Sequence, residues 1–120
     1  MSEELREMTV ADITPEVVFA AMPSQLDPVK ARGVNATVQF ELSGEQGGTW
    51  WVRIADGQAE SGQGTVESPN LVMMADARDY VKIAIGELNG VTAFMQGKLR
   101  VKGDLTLAMK MQTIFKIPKR

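Results

Sequence analysis

Strict alternation of apolar and polar residues marks the first strand of the chain. From residue 34 to 43, Val, Ala, Val, Phe and Leu occupy every second position, with polar residues between them. Such a period of two predicts a β-strand with one buried face and one wet face. A second strand is predicted over 49–55 and a third, weaker one over 58–64. The pair Asp56-Gly57 between them is typical of a tight hairpin turn.

Helix signals lie before, between and after these strands. Thr14-Pro15 predicts a helix start, with threonine as the cap and proline at the first helical position. This helix is expected to run to about Met22 and to stop before Pro23. The other predicted elements, in chain order, are a strand over 70–75, a helix over 77–85, a short helical turn over 90–95, a strand over 98–102 and a helix over 105–116. We therefore expect one α+β domain over 14–120, preceded by a partly flexible tail of residues 1–13.

The last predicted helix is more apolar than an ordinary surface helix. At about 100° per residue, only Thr106, Lys110 and Thr113 share a polar strip, and apolar residues cover most of the remaining circumference. One face should pack on the sheet, and the excess must meet core, a partner chain or a ligand. Gln112 is expected on the apolar side, where a buried amide needs either a loop carbonyl or a ligand head group as its hydrogen-bond partner.

Methionines concentrate in the same half of the chain. Their flexible side chains repack around irregular partners, so such a cluster indicates either core filler or an adaptable ligand lining. The residues concerned are Met73, Met74, Met95, Met109 and Met111.

Composition removes many classes of chemistry. The chain has no histidine and no cysteine, which excludes Ser-His-Asp and Cys-His nucleophiles, thiol redox chemistry and the usual zinc sites. Its acidic residues are scattered without calcium-loop spacing, and neither a P-loop nor a dinucleotide fingerprint is present. Basic residues are not interleaved with aromatic ones, which disfavours nucleic-acid binding. We expect no catalysis, no cofactor and no metal.

Charge is unevenly distributed along the chain. Residues 1–97 hold six basic and fourteen acidic side chains, whereas residues 98–120 hold seven basic side chains and one acidic one. The basic segment is either the wet side of one strand and one helix or a surface for transient contact with an anionic membrane. The chain has no apolar run of the roughly 18–20 residues that cross a bilayer and no apolar leader, so a cytoplasmic protein is expected.

Several motifs in the second half of the chain resemble the sterol carrier protein type 2 family. Residues 93–103 match the family pattern Ala-Phe-x-Gln-Gly-Lys-Leu-x-Val-x-Gly, and residues 107–112 match Leu-Ala-Met-Lys-Leu-Gln except for one methionine. The strand ending in Met74-Ala-Asp76 and the tryptophan-bearing strand from Gly48 fit as well. The chain departs from the pattern at Glu87, where relatives usually carry a basic residue, and in its N-terminal helical region.

The resemblance implies a five-stranded, mostly antiparallel sheet with helices covering one face and an apolar lipid tunnel between them. It implies that the tunnel holds a fatty acid, fatty acyl-CoA, sterol or similar lipid. The ligand-binding residues expected from it, together with the residue patterns above, are Trp50, Met74, Phe94, Met95, Gln96, Met109, Gln112 and Phe115.

The expected function is non-catalytic lipid binding or transfer in the cytoplasm, by a monomer or weak dimer. The alternative is an accessory module that docks on an enzyme of a lipid or quinone pathway.

Overall fold

A five-stranded sheet with the strand order β3-β2-β1-β4-β5 forms the centre of the computed structural model, which describes residues 13–115. Neighbouring strands are antiparallel except β1 and β4, which run parallel. The sheet is therefore mostly antiparallel, which confirms the prediction from the family resemblance. The strands are β1 (Ala36–Ser43), β2 (Gly48–Ala55), β3 (Gln58–Gln63), β4 (Leu71–Asp76) and β5 (Leu99–Gly103).

Within residues 13–115, four α-helices accompany the sheet, and a side chain caps the first turn of each. The helices are α1 (Pro15–Ala21), α2 (Ala77–Ala84), α3 (Gly90–Met95) and α4 (Leu105–Ile114). Their caps are Thr14, Asp76, Asn89 and Asp104, whose side-chain oxygens accept backbone N–H groups that have no partner inside the helix.

Two turns of the chain need residues with positive φ. Asp56 and Gly57 have φ values of 54° and 72°, as a type I′ hairpin turn demands, so the predicted turn is confirmed. Gly103 ends β5 at a φ of +114°, and a Cβ there would stand 2.6 Å from the carbonyl oxygen of Asn70. Only glycine fits at this point, where the chain turns from β5 into α4.

The two faces of the sheet differ as the alternation predicted. One face is buried under the helices and carries Val38, Phe40, Leu42, Trp50, Val52, Ile54, Leu71 and Met73. On the opposite face Lys98, Arg100 and Lys102 are exposed. Gln39 is the exception, because it is buried on that outer face. Its amide accepts the N–H of Val66 and donates to Glu41, both at 2.9 Å, so the loop before β4 covers it.

An aromatic cluster joins α1 and α2 to the sheet. The ring of Phe19 stacks on Trp50 and on Tyr80, at centroid distances of 5.3 and 5.5 Å, and meets Phe40 at 4.9 Å. Phe40 also meets Tyr80 at 5.3 Å. Such ring pairs add to the free energy that burial of their surface supplies.

Both ends of the described chain depart from expectation. The helical region does not stop before Pro23: a 3₁₀ turn, Met22–Gln25, continues α1, and proline fits at its start because no N–H is needed there. The last helix ends at Ile114 rather than near 116, and Phe115 instead forms a β-bridge with Leu26. Ile13, assigned above to the tail, is buried in the core.

The division of the chain into a tail and one domain stays a prediction, because residues 1–12 and 116–120 lie outside the described part. Within residues 13–115, no helix is long and apolar enough to cross a membrane.

Candidate functional site

A cavity of about 290 Å³ lies between the buried face of the sheet and the helices. This volume far exceeds a packing defect that holds one water, and it is close to the lower end of the range for ligand pockets. The lining residues are Met22, Gln25, Phe40, Met73, Tyr80, Ile83, Ala84, Gly86, Leu88, Asn89, Gly90, Leu99, Met111 and Phe115.

The lining is apolar and deformable. Met22, Met73 and Met111 reach it from the 3₁₀ turn, from β4 and from α4. Each of the three is buried, and their unbranched side chains can adopt several shapes at little cost. Gly86 and Asn89 are the exposed part of the lining, which places the opening at the loop between α2 and α3.

Two polar side chains face this apolar space from the buried part of the lining. Tyr80 contributes a phenol, and burial raises the pKa of this group above its usual range, so the hydroxyl stays neutral at physiological pH. Gln25 contributes an amide whose Nε2 is buried and has no hydrogen-bond partner within the part of the chain that the structure describes. None of the described lining residues carries a charge, so the site offers hydrogen bonds rather than ion pairing.

The ligand-binding residues expected from the sequence lie in different parts of the structure. Phe115 lines the cavity. Trp50 is buried nearby within the aromatic cluster but is not part of the lining. Met74 points to the opposite face of the sheet, where it borders a shallower depression together with Arg100 and Glu41.

The remaining expected residues lie on the outside of α3 and α4. Phe94, Met95 and Met109 are 48%, 80% and 72% exposed, and Gln96 is exposed as well. None of these four borders the cavity. The side chain of Gln112 lies outside the described part of the structure.

Several lining residues were missed, and some of them had a signal in the sequence. Met73 shares the alternation of Leu71 and Ala75, both buried, so strand periodicity assigns it to the helix side. Met22 follows the helical spacing of the first helix, which indicates its buried side, whereas Gln25 lacks such a signal. The position of Gln25 depends on the 3₁₀ turn and on the bridge between Leu26 and Phe115 that follows it.

Solved structures with the same fold include a palmitated protein and a sec-alkylsulfatase. The palmitated SCP2L2 of Aedes aegypti superposes with a TM-score of 0.74 at 23% identity, over 90% of this chain and 100% of that one. The sec-alkylsulfatase Pisa1 from Pseudomonas sp. superposes with a TM-score of 0.79 at 21% identity, over 94% of this chain and 18% of that one. At these identities the likeness concerns the fold.

Sequence comparison identifies the family. Hydroxysteroid dehydrogenase-like protein 2 of Rattus norvegicus is 36% identical over 100 residues, which are 82% of this chain and 19% of that protein. The chain therefore spans about a fifth of the length of this relative. The model of the SCP-2 sterol transfer family matches residues 16–116. The resemblance in the sequence motifs is thus confirmed, and the chain belongs to the SCP-2 sterol transfer family.

Proposed function

We propose that the chain binds a lipid in the cavity between sheet and helices and carries or presents it without catalysing a reaction. The observation behind this proposal is the apolar cavity of about 290 Å³, with three methionines in its lining. Family membership supports it, as does the fold shared with the palmitated mosquito protein. A fatty acid, a fatty acyl-CoA or a sterol-like lipid is the proposed ligand.

The energetics favour reversible binding. Each methylene buried in such a cavity contributes about 0.8 kcal/mol, so a chain of about fourteen methylenes gains roughly 11 kcal/mol if all of it is buried. Association and ordering cost an estimated 4–15 kcal/mol. The net free energy is therefore modest, which suits a protein that must release its ligand. Because the methionines repack, one cavity can accept lipids of several shapes.

Native mass spectrometry of the purified protein tests this function. We expect a population whose extra mass corresponds to a co-purified lipid, which solvent extraction then removes and identifies. A fluorescent fatty-acyl probe should bind the extracted protein and be displaced by unlabelled lipid. A protein that is free of lipid and that also fails to bind the probe would contradict the proposal.

Membrane contact is a second part of the proposal. Leu105 and Met109 on α4 and Phe94 and Met95 on α3 are exposed apolar side chains, and the basic segment 98–120 runs through α4. Such a surface fits an anionic membrane, on which the lysines meet head groups and the apolar side chains enter the interface. Vesicle binding should weaken as salt is added, and equal binding at low and high salt would contradict the electrostatic contribution.

The same exposed side chains of α4 favour the accessory module as the second candidate function. Leu105 and Met109 are 56% and 72% exposed, and the described chain leaves them uncovered. A partner enzyme could cover them. Two measurements would decide between lipid carriage alone and docking on an enzyme. Sedimentation gives the oligomeric state of the isolated protein, which we expect to be a monomer or weak dimer. Capture by purified candidate enzymes shows whether it binds a partner. A lipid-filled monomer that captures none of them argues against this candidate.

The cytoplasmic location stays a prediction.

A further inference from the structure

Gln25 is the most unusual polar group of the described chain. Gln25 is 7% exposed, and its Nε2 is buried without a hydrogen-bond partner among the described residues. Buried amide groups are nearly always paired, and an unpaired one costs free energy. Gln25 lines the cavity, so a ligand bound there is in position to supply the partner for this nitrogen.

The backbone fixes the amide in this position. Gln25 ends the 3₁₀ turn, in which residues three apart lie on the same side, and Met22 lines the cavity as well. Leu26 pairs with Phe115, and the N–H of Asp27 donates to the carbonyl of Ile114 at 2.7 Å. On the other side, the hydroxyl of Ser24 donates to the carbonyl of Ala21 at 2.8 Å. These contacts fix the backbone on both sides of Gln25, and with it the direction in which the side chain leaves the backbone.

The surroundings of Gln25 select an uncharged partner. The described lining has no cationic side chain, and Tyr80 stays neutral because burial raises its pKa. A carboxylate buried here would lack a counter-ion, which is costly. A hydroxyl or carbonyl oxygen has no such cost. A hydroxyl also donates, so it matches the amide whichever of its two ends faces the cavity.

We propose that the ligand carries an uncharged oxygen, as in an alcohol or sterol hydroxyl or an ester carbonyl, which accepts a hydrogen bond from Gln25 in the buried part of the cavity. This inference rests on the proposed lipid binding and narrows it. A lipid bound in this way points its uncharged polar group inward, away from the opening at Gly86 and Asn89.

Three ligands of equal length test the inference: dodecane, dodecanol and dodecanoate, each measured by displacement of a fluorescent acyl probe at neutral pH. They are compared in the wild type, in Gln25→Leu and in the matched control Gln58→Leu, which changes an exposed glutamine at the start of β3. Replacing Gln25 by leucine should lower the affinity for dodecanol relative to dodecane about tenfold, because the hydroxyl of the alcohol loses its hydrogen-bond partner in the cavity. The control should leave that ratio unchanged.

Side-chain amide NMR gives a readout that needs no variant. The Gln25 NH₂ resonances should move when dodecanol binds and much less when dodecane binds. Equal affinity ratios in wild type and Gln25→Leu, with no preferential resonance shift, would overturn the role of Gln25 while leaving lipid binding intact. If the wild type prefers dodecanoate over dodecanol and Gln25→Leu loses this preference, the proposal that the bound oxygen is uncharged is overturned. If none of the three ligands displaces the probe and the probe itself does not bind, it is the proposed lipid binding that fails.

Discussion

Replacing Phe19 by alanine is expected to lower the free energy of unfolding by about 3–5 kcal/mol, the usual cost of removing a buried phenylalanine. Phe19 is 2% exposed and touches three other rings, from Phe40, Trp50 and Tyr80. These rings come from β1, β2 and α2, so no single neighbour can move in to fill the space. The substitution thus removes both apolar burial and the packing between layers.

Chemical denaturation measures this loss, with Phe94→Ala as the matched control. Phe94 is 48% exposed and lies on the outside of α3, so its replacement should cost about 1 kcal/mol or less. Equal destabilisation by the two substitutions would contradict the assignment of Phe19 to the centre of the core.

Replacing Ala84 by phenylalanine is expected to weaken lipid binding about 200-fold. Ala84 lines the cavity from α2, and a phenyl ring there would take the place of about four methylenes, at about 0.8 kcal/mol each. The protein should still fold, because the cavity accepts the ring without forcing out existing core side chains.

The control for this variant is Ala20→Phe, which adds the same ring to an exposed position on α1 outside the lining. Displacement of a fluorescent acyl probe should give wild-type affinity for it. Unchanged affinity in Ala84→Phe would mean that lipid binds elsewhere, for example on the exposed surface of α3 and α4.

Periodicity predicted the fold well because burial has a regular spacing within each element. Val38, Phe40 and Leu42 of the alternation in β1 are buried as expected. Thr14 and Asp56-Gly57 also act locally, so the start of α1 and the hairpin between β2 and β3 followed from a few neighbouring residues. The order of the strands in the sheet did not follow from these patterns.

The cavity could not be predicted in the same way, because its lining comes from several elements at once. In α3 the buried residues are Gly90 and Ala93, three apart, and this spacing turns Phe94 and Met95 outward. In α4 the buried arc contains Leu107, Ala108, Met111 and Ile114, which leaves Met109 on the opposite side. Apolar residues within the motifs that resemble the family therefore do not all face the cavity.

Gln25 shows the other limit of sequence reasoning. Nothing in its neighbours distinguishes it from an exposed glutamine, and the amides expected near the ligand were Gln96 and Gln112. Its burial follows from a contact between residues far apart in the chain, the bridge of Leu26 with Phe115.

NMR of the protein labelled at its methionine methyl groups tests most directly whether lipid occupies this cavity. On addition of a long-chain lipid, the methyl resonances of Met22, Met73 and Met111 should shift, because these side chains line the cavity. The resonances of Met95 and Met109, which are 80% and 72% exposed, should stay in place in the absence of membranes. Shifts confined to Met95 and Met109, with the three cavity methionines unmoved, would contradict binding between the sheet and the helices.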